Sequence, residues 1–230
     1  MTLYSPTRMG IRGLSQYNPS PTGCLLYLPL WSNYLKGTTF RSQDNYRHLC
    51  TATGATWGSG GRTLAGAGYI TIPSLQMSGD RTISFVFRPS FAYDSATARM
   101  YFQWKYDADN YIYLESPGDT SLTMGYNAAN TLNSAGTAVV FSSGDLLVVD
   151  CVVNKTGDEI RWYVNGVSKA SDAAPSLGTM VTSASTLYIG STVVPDEYNN
   201  GVMGEFSVNN RAFSAQESLH NYKLLKGRYD

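Results

Sequence analysis

From Cys24 onward, apolar runs of strand length recur between turn signals: CLLYLPLW, GYITIP, RTISFVFRP, RMYFQWKY, NYIYLE, SLTMGY, DLLVVDCVVN, EIRWYVN, STLYIG and GEFSVN. No stretch of helical period separates them, so there is nothing from which to build crossovers between parallel strands. Roughly ten short strands of this kind indicate an antiparallel sandwich or barrel and argue against a βαβ sheet. The expected fold class is all-β. At 230 residues the chain can enclose one large core without dividing into two.

Two hairpins can be read directly. In EIRWYVNGVSKA, Ile160, Trp162 and Val164 alternate with Arg161 and Tyr163, so one face seeks the core and the other water. Asn165 and Gly166 tolerate the positive φ values of a type I′ turn, which makes this pair the reversal point and not a site. In MYFQWKYDADNYIYLES, Met100, Phe102, Trp104 and Tyr106 are expected on one face, with Asp107 to Asn110 as the turn. One brief helix is expected after Phe213. Ser214 and Glu217 form a capping box for it, and Leu219 and Tyr222 give it a short apolar side.

Acidic and basic residues balance at 17 each, so no basic field exists to hold a polyanion, and nucleic acid is not an expected partner. Cys24, Cys50 and Cys151 show no C-x-x-C spacing and cannot all pair, which indicates neither a disulfide framework nor a zinc site. Cys151, within LLVVDCVVN, reads as a small buried apolar group. No apolar run is long enough to span a bilayer, so no membrane partner is expected. Residues 1–23 carry Pro6, Pro19 and Pro21 among Gly and Ser and lack the apolar centre of a signal peptide. They read as an N-terminal arm preceding a domain at 24–230.

Several segments together resemble the laminin G-like, or concanavalin A-like, jelly-roll domains. CLLYLPLW is similar to that family's first strand, TGATWGSGGRTLAGAGYITIP to its Gly-rich passage, and MSGDRTISFVFRPS to a strand usually written S-G-D-x-T-I-S. EIRWYVNGVSKAS resembles its Y-V-N-G hairpin, and LYIGS with GEFSVNNRAFSAQES its closing strand and helix. The likeness runs from about Thr22 to Lys226 and implies a two-sheet antiparallel jelly-roll sandwich with a short C-terminal helix. It departs at Gly204-Glu205, where the family often has an Asp-Glu pair.

Glucanases on the same sandwich flank the glycosidic bond with carboxylates along one strand, and their E-x-D-x-x-E pattern is absent here. Asp158-Glu159 and Asp196-Glu197 are adjacent pairs, which a strand would point to opposite faces. His48 and His220 fall in a polar loop and in the expected helix, so no Ser-His-Asp triad is indicated and the chain is not expected to be an enzyme. Asp107, Asp109 and Asn110 offer hard oxygens to Ca²⁺, although no bidentate Glu or Gly follows at calcium-loop spacing; they read better as a turn, and no cofactor is implied. For ligand binding the candidates are Trp104, Tyr111 and Tyr113 as stacking rings. The loop VVPDEYNNG adds Asp196, Glu197, Asn199 and Asn200 for hydroxyls and Tyr198 as a further ring.

The function expected is that of a non-catalytic virion surface or structural protein, of the capsid decoration or fibre type, with glycan adhesion. A free lectin-like carbohydrate-binding module is the alternative and a glycoside hydrolase the third choice. The phrasing of CLLYLPLW and SQDNYRHLCTATGATW resembles laminin G-like proteins of phage and virome sequences. Such a protein would be made in the host cytoplasm, and its arm would join it to further copies or to capsid or tail neighbours. An extracellular location follows from the alternative.

Overall fold

The computed structural model describes residues 17–118, 120–172, 177–193 and 197–230. In chain order the strands are β1 (Cys24–Pro29), β2 (Thr39–Arg41), β3 (Leu49–Thr53), β4 (Thr56–Gly58), β5 (Gly61–Leu64), β6 (Tyr69–Gln76), β7 (Arg81–Pro89) and β8 (Arg99–Lys105). They continue with β9 (Tyr111–Ser116), β10 (Ser121–Ala128), β11 (Thr131–Ala138), β12 (Leu147–Asn154), β13 (Glu159–Val164), β14 (Val167–Asp172), β15 (Ala184–Ile189) and β16 (Gly201–Asn209), and helix α1 (Ala215–Tyr229) closes the chain. Two eight-stranded sheets result. One runs β14-β13-β12-β7-β16-β5-β4, with β1 also pairing β16, and the other β11-β10-β9-β8-β15-β6-β3-β2. Every ladder between these strands is antiparallel, as the alternating sequence pattern requires.

The core lies between the sheets. Phe85, Phe87, Cys151, Trp162 and Phe206 from the first sheet meet Tyr101, Phe102, Trp104, Ile112 and Leu187 from the second. Phe85 stacks on Phe206 with centroids 6.1 Å apart, and Phe102 meets the same ring edge-on. Free thiols at Cys50 and Cys151 are buried as apolar filler.

The first sheet is covered on its outer side too. Val148 and Val152 of β12 turn away from the core, Val148 packing with Val86 and Leu225 and Val152 with Tyr163 and Phe213. This explains why β7, β12 and β16 are buried almost without interruption. Under α1, Asn221 donates to Asp150 Oδ1 at 2.8 Å, and burial raises the Asp150 carboxyl to about 6 against the opposing influence of Ser84, Asn221 and Ser218. Glu205 forms a second clamp. Its carboxylate accepts from Tyr27 Oη at 2.9 Å, Trp31 Nε1 at 3.1 Å and Tyr229 Oη at 3.3 Å, and pairs with Arg228. Gly204 forms the bulge beside it, and the Tyr229 ring lies where a Cβ at Gly204 would stand. The family's Asp-Glu position thus serves here to fasten the C-terminal helix.

Both expected hairpins form, with differences in detail. Asn165 and Gly166 have φ of 53° and 74°, and the Asn165 side chain accepts from Val148 N at 2.8 Å, tying the turn to β12. In the other hairpin a register shift between Met100 and Phe102 breaks the alternation, so Tyr101 is buried and Tyr106, beyond the strand, is largely exposed. The capping box at Ser214 and Glu217 is present, yet the helix runs 15 residues and buries Ser218, Asn221 and Leu225, leaving Leu219 partly exposed. Its inner face is therefore partly polar, because it must meet Asp150. Residues 1–16 of the expected arm lie outside the described residues. Residues 18–22 are tied down: the Asn209 amide donates to the carbonyls of Ser20 at 2.8 Å and Thr22 at 3.1 Å.

Candidate functional site

Among the described residues, the outward side chains of the second sheet are largely exposed or half-exposed. Strand β9 alternates half-exposed and buried side chains along its length, with Ile112 and Leu114 inward and Tyr111, Tyr113 and Glu115 outward. Register then assembles a row across the strands: Gly125 opposite Tyr113, Tyr113 opposite Gln103, Gln103 opposite Tyr188, and Tyr188 opposite Thr71. A Cβ at Gly125 would stand 2.0 Å from the Tyr113 ring, so glycine is what lets that ring lie down on β10. Tyr111 and Tyr113 are 5.8 Å apart, and Tyr69 and Tyr188 6.4 Å, giving two aromatic pairs on either side of Gln103.

Met100, Gln103, Lys105, Ala108, Tyr111, Tyr113 and Glu115 line a cleft of about 340 Å³ on this face. The Gln103 side chain is held from outside the cleft's own strands. Val193 N donates to Gln103 Oε1 at 2.8 Å, which fixes the amide and leaves its Nε2 hydrogens as donors for a ligand. Thr192 N donates to Glu197 O at 3.3 Å, and Ser191 bridges to Tyr198. Burial, then the neighbouring Glu197 carboxylate, pushes the pKa of the Glu115 carboxyl up, disfavouring its charged form. Burial, followed by Glu115 and Tyr111, pushes the Tyr113 hydroxyl up to about 12, so it remains a donor. A flat ring flanked by an amide, carboxylates and hydroxyls suits a polyhydroxylated ring with apolar faces.

Some of the residues singled out from sequence converge here and others do not. Tyr111 and Tyr113 line the cleft, and Glu197 stands close enough to act on Glu115. Trp104 is fully buried in the core, with no face left for a ligand. It pairs with Ile112, on the opposite side of β8 from Gln103, so grouping it with the tyrosines crossed from one face to the other. Asn199 is 1% exposed and its Oδ1 accepts from Asn200 N at 2.8 Å, while Asn200 O accepts from Ser90 N at 3.0 Å. Asn199 therefore shapes the loop, while Asn200 is half-exposed. Asp196 lies outside the described residues.

Asp107, Asp109 and Asn110 build a turn. Asp107 Oδ1 accepts from Asp109 N and from Asn110 Nδ2, each at 2.9 Å, and these bonds hold its carboxyl below the ordinary range. Asn110 is buried, and its Oδ1 accepts from Ala129 N at 3.4 Å, so the Asp107 and Asn110 side chains serve the hairpin, in keeping with the turn reading. Among the described residues, no three His, Cys, Asp or Glu side chains converge as a metal site. Sequence reasoning passed over Gln103, Lys105 and Glu115. The i, i+2, i+4 spacing of Tyr111, Tyr113 and Glu115 was the available signal, whereas Gln103 needed the hairpin register.

Larger clefts are less suited to a ligand. One of about 590 Å³ is lined by Tyr46, His48, Asp80, Arg81 and Thr156 among others. Its polar groups serve the fold: Arg81 donates to the Gln76 and Asp80 carbonyls, Asp80 accepts from Thr156, and His48 Nε2 lies 3.1 Å from Leu25 O. Another of about 370 Å³, beside Tyr17, Trp31 and Arg228, borders the Glu205 clamp. His220 is exposed on α1. No helix among the described residues is long and apolar enough to cross a membrane.

Comparison with solved structures agrees on the fold. The binding domain of botulinum neurotoxin DC, solved with a sialylated ligand, superposes with a TM-score of 0.71 at 12% identity, covering 89% of this chain and 52% of the other. The serotype G binding domain gives 0.69 at 12% identity over 88% and 51%. The serotype D domain in complex with N-acetylneuraminic acid gives 0.68 at 13% over 88% and 51%. The chain thus spans about half the length of these neighbours, and at such identities the likeness concerns architecture. No curated protein sequence matches it. The family model described as the concanavalin A-like lectin/glucanases superfamily matches residues 64–217, about two thirds of the sequence, and the chain belongs to that superfamily.

Proposed function

We propose that this protein is a non-catalytic carbohydrate-binding module whose ligand lies across the outer face of the second sheet, over Tyr113. The observation that carries the reading is the row Gly125, Tyr113, Gln103, Tyr188, which sets a flattened ring beside a fixed amide on a rigid sheet. The fold's lectin-like neighbours, solved with sialylated ligands, support it by analogy. Isothermal titration with the best oligosaccharide from a glycan array tests it. Tyr113→Ala and Gly125→Ala should each weaken binding about tenfold, the first by removing the ring and the second by lifting it. Unchanged affinity in both places the ligand elsewhere, and release of reducing ends during incubation makes the protein a hydrolase.

The finer part of the proposal is that the module works on the surface of a virus particle, joined there through its N-terminal arm. Its support is the resemblance of CLLYLPLW and SQDNYRHLCTATGATW to laminin G-like proteins of phage and virome sequences. Because Ser20 and Thr22 hold Asn209, the truncation that isolates the arm removes residues 1–16 only. Sedimentation velocity should show the full chain self-associating and the truncated one monomeric and still sugar-binding. Identical behaviour of the two would remove the arm's role.

A further inference from the structure

We propose that the ligand of this face is a stretch of a linear oligosaccharide chain running across the strands from Tyr113 past Gln103 to Tyr188, and not a single terminal sugar, a preference that rests on the carbohydrate-binding reading above. The cleft over Tyr113 covers only part of the row to which that ring belongs. Register carries the row from Gly125 on β10 through Tyr113 and Gln103 to Tyr188 on β15, Thr71 on β6 and Thr51 on β3. Tyr113, Gln103, Tyr188 and Thr71 are half-exposed and Thr51 is exposed, so the side chains of the row reach water beyond the cleft.

Tyr113 and Tyr188 lie two strands apart, so their backbones are separated by roughly 10 Å, about the length of a disaccharide. The Tyr113 ring leans over Gly125, on the side of β9 away from β8, which turns it further from Tyr188. One sugar residue can therefore cover one of these rings, and a chain of about three or more is needed to cover both.

Gln103 stands at the midpoint. Its Oε1 accepts from Val193 N, so the amide offers N–H groups to whatever bridges the rings. Tyr188 is backed by Tyr69 at 6.4 Å, as Tyr113 is by Tyr111 at 5.8 Å, and each end of the span thus presents an aromatic pair. A sugar chain alternates apolar ring faces with hydroxyl and glycosidic oxygens, and that alternation fits ring, amide, ring. Past Tyr188 the row continues as Thr71 and Thr51, and past Tyr113 as Gly125, so its short side chains raise no wall at either end and a chain can run on. Contacts to the second pair are made by a ligand already held at the first, so they add affinity without a second cost of association.

The test is a glycan array printed with size ladders, monosaccharide to hexasaccharide, of linear β-linked glucans, xylans, mannans and galactans. The ladder that binds best is then titrated against the full chain and against Tyr188→Thr, a change that removes the ring and keeps a residue suited to a strand. Affinity should rise at least about tenfold from disaccharide to tetrasaccharide, and Tyr188→Thr should cancel that rise while altering disaccharide binding by less than about twofold. Tyr69→Thr, which takes away the backing ring, should shrink the rise in the same sense. Affinity independent of length, or a rise untouched in both variants, confines the ligand to the cleft and overturns the proposal, while loss of binding in Tyr113→Ala keeps the carbohydrate-binding reading. An equal loss at every length in Tyr188→Thr places even the shortest sugar on Tyr188 and also overturns it. Silence across the whole array removes both.

Discussion

The two outer faces of the sandwich have opposite fates. On the first sheet, β7, β12 and β16 are buried on both sides, because Phe213 and α1 lie over Val86, Val148 and Val152 and two buried carboxylates, Asp150 and Glu205, bind the covering segment. On the second, β9 keeps its strict alternation, and tyrosines, Gln103 and Glu115 face water. One face is sealed and the other is open for recognition. The difference teaches where function can be placed: a face closed by buried charges serves stability, and a ligand must use the other.

Breaking the sealed face should have the largest effect. Glu205→Ala leaves Arg228, Tyr27, Trp31 and Tyr229 without their common acceptor, and urea unfolding should show a loss of about 3–5 kcal/mol, unless α1 detaches first as a separate transition. A loss under 1 kcal/mol would mean that the clamp is not what holds the helix. Asp150 should behave in the opposite sense. Its folded carboxyl titrates at about 6, above its unfolded value, so the folded state binds protons more tightly and stability falls as pH rises from about 4 to 6. Asp150→Asn should therefore be more stable than the parent at pH 8, by at most about 3 kcal/mol, and little different at pH 4. Denaturation at the two pH values decides it. A variant weaker at pH 8 would show that the hydrogen bond from Asn221 outweighs the charge. On the open face, Tyr113→Ala should change stability by only about 0.5 kcal/mol while weakening sugar binding, because its ring touches the sheet from outside. A large loss of stability there would erase the contrast between the faces.

Much of the architecture was legible in the chain. Period-two alternation gave the antiparallel strands, Asn165-Gly166 marked its turn, and Ser214 with Glu217 announced the helix. The site was only half legible. Tyr111 and Tyr113 share a face by spacing alone, but Trp104, the most conspicuous ring nearby, belongs to the core, and the inconspicuous Gln103 beside it belongs to the cleft. Asn199 looked like a surface ligand because its loop is polar; it is buried because that loop folds back on Gly190.

The sequence by itself determined which segments would be strands, where several of them reverse and that no strongly charged partner would be held by a global field, since these depend on local pattern and composition. Only the tertiary structure decided which face of each strand met the helix and which met water. Strand register brought Gly125, Tyr113, Gln103 and Tyr188 into one row, and the long-range return of the chain before β16 tied Val193 to Gln103. Such proximity joins residues far apart in the chain. It arises from how two sheets and a helix share buried surface, which no local pattern encodes.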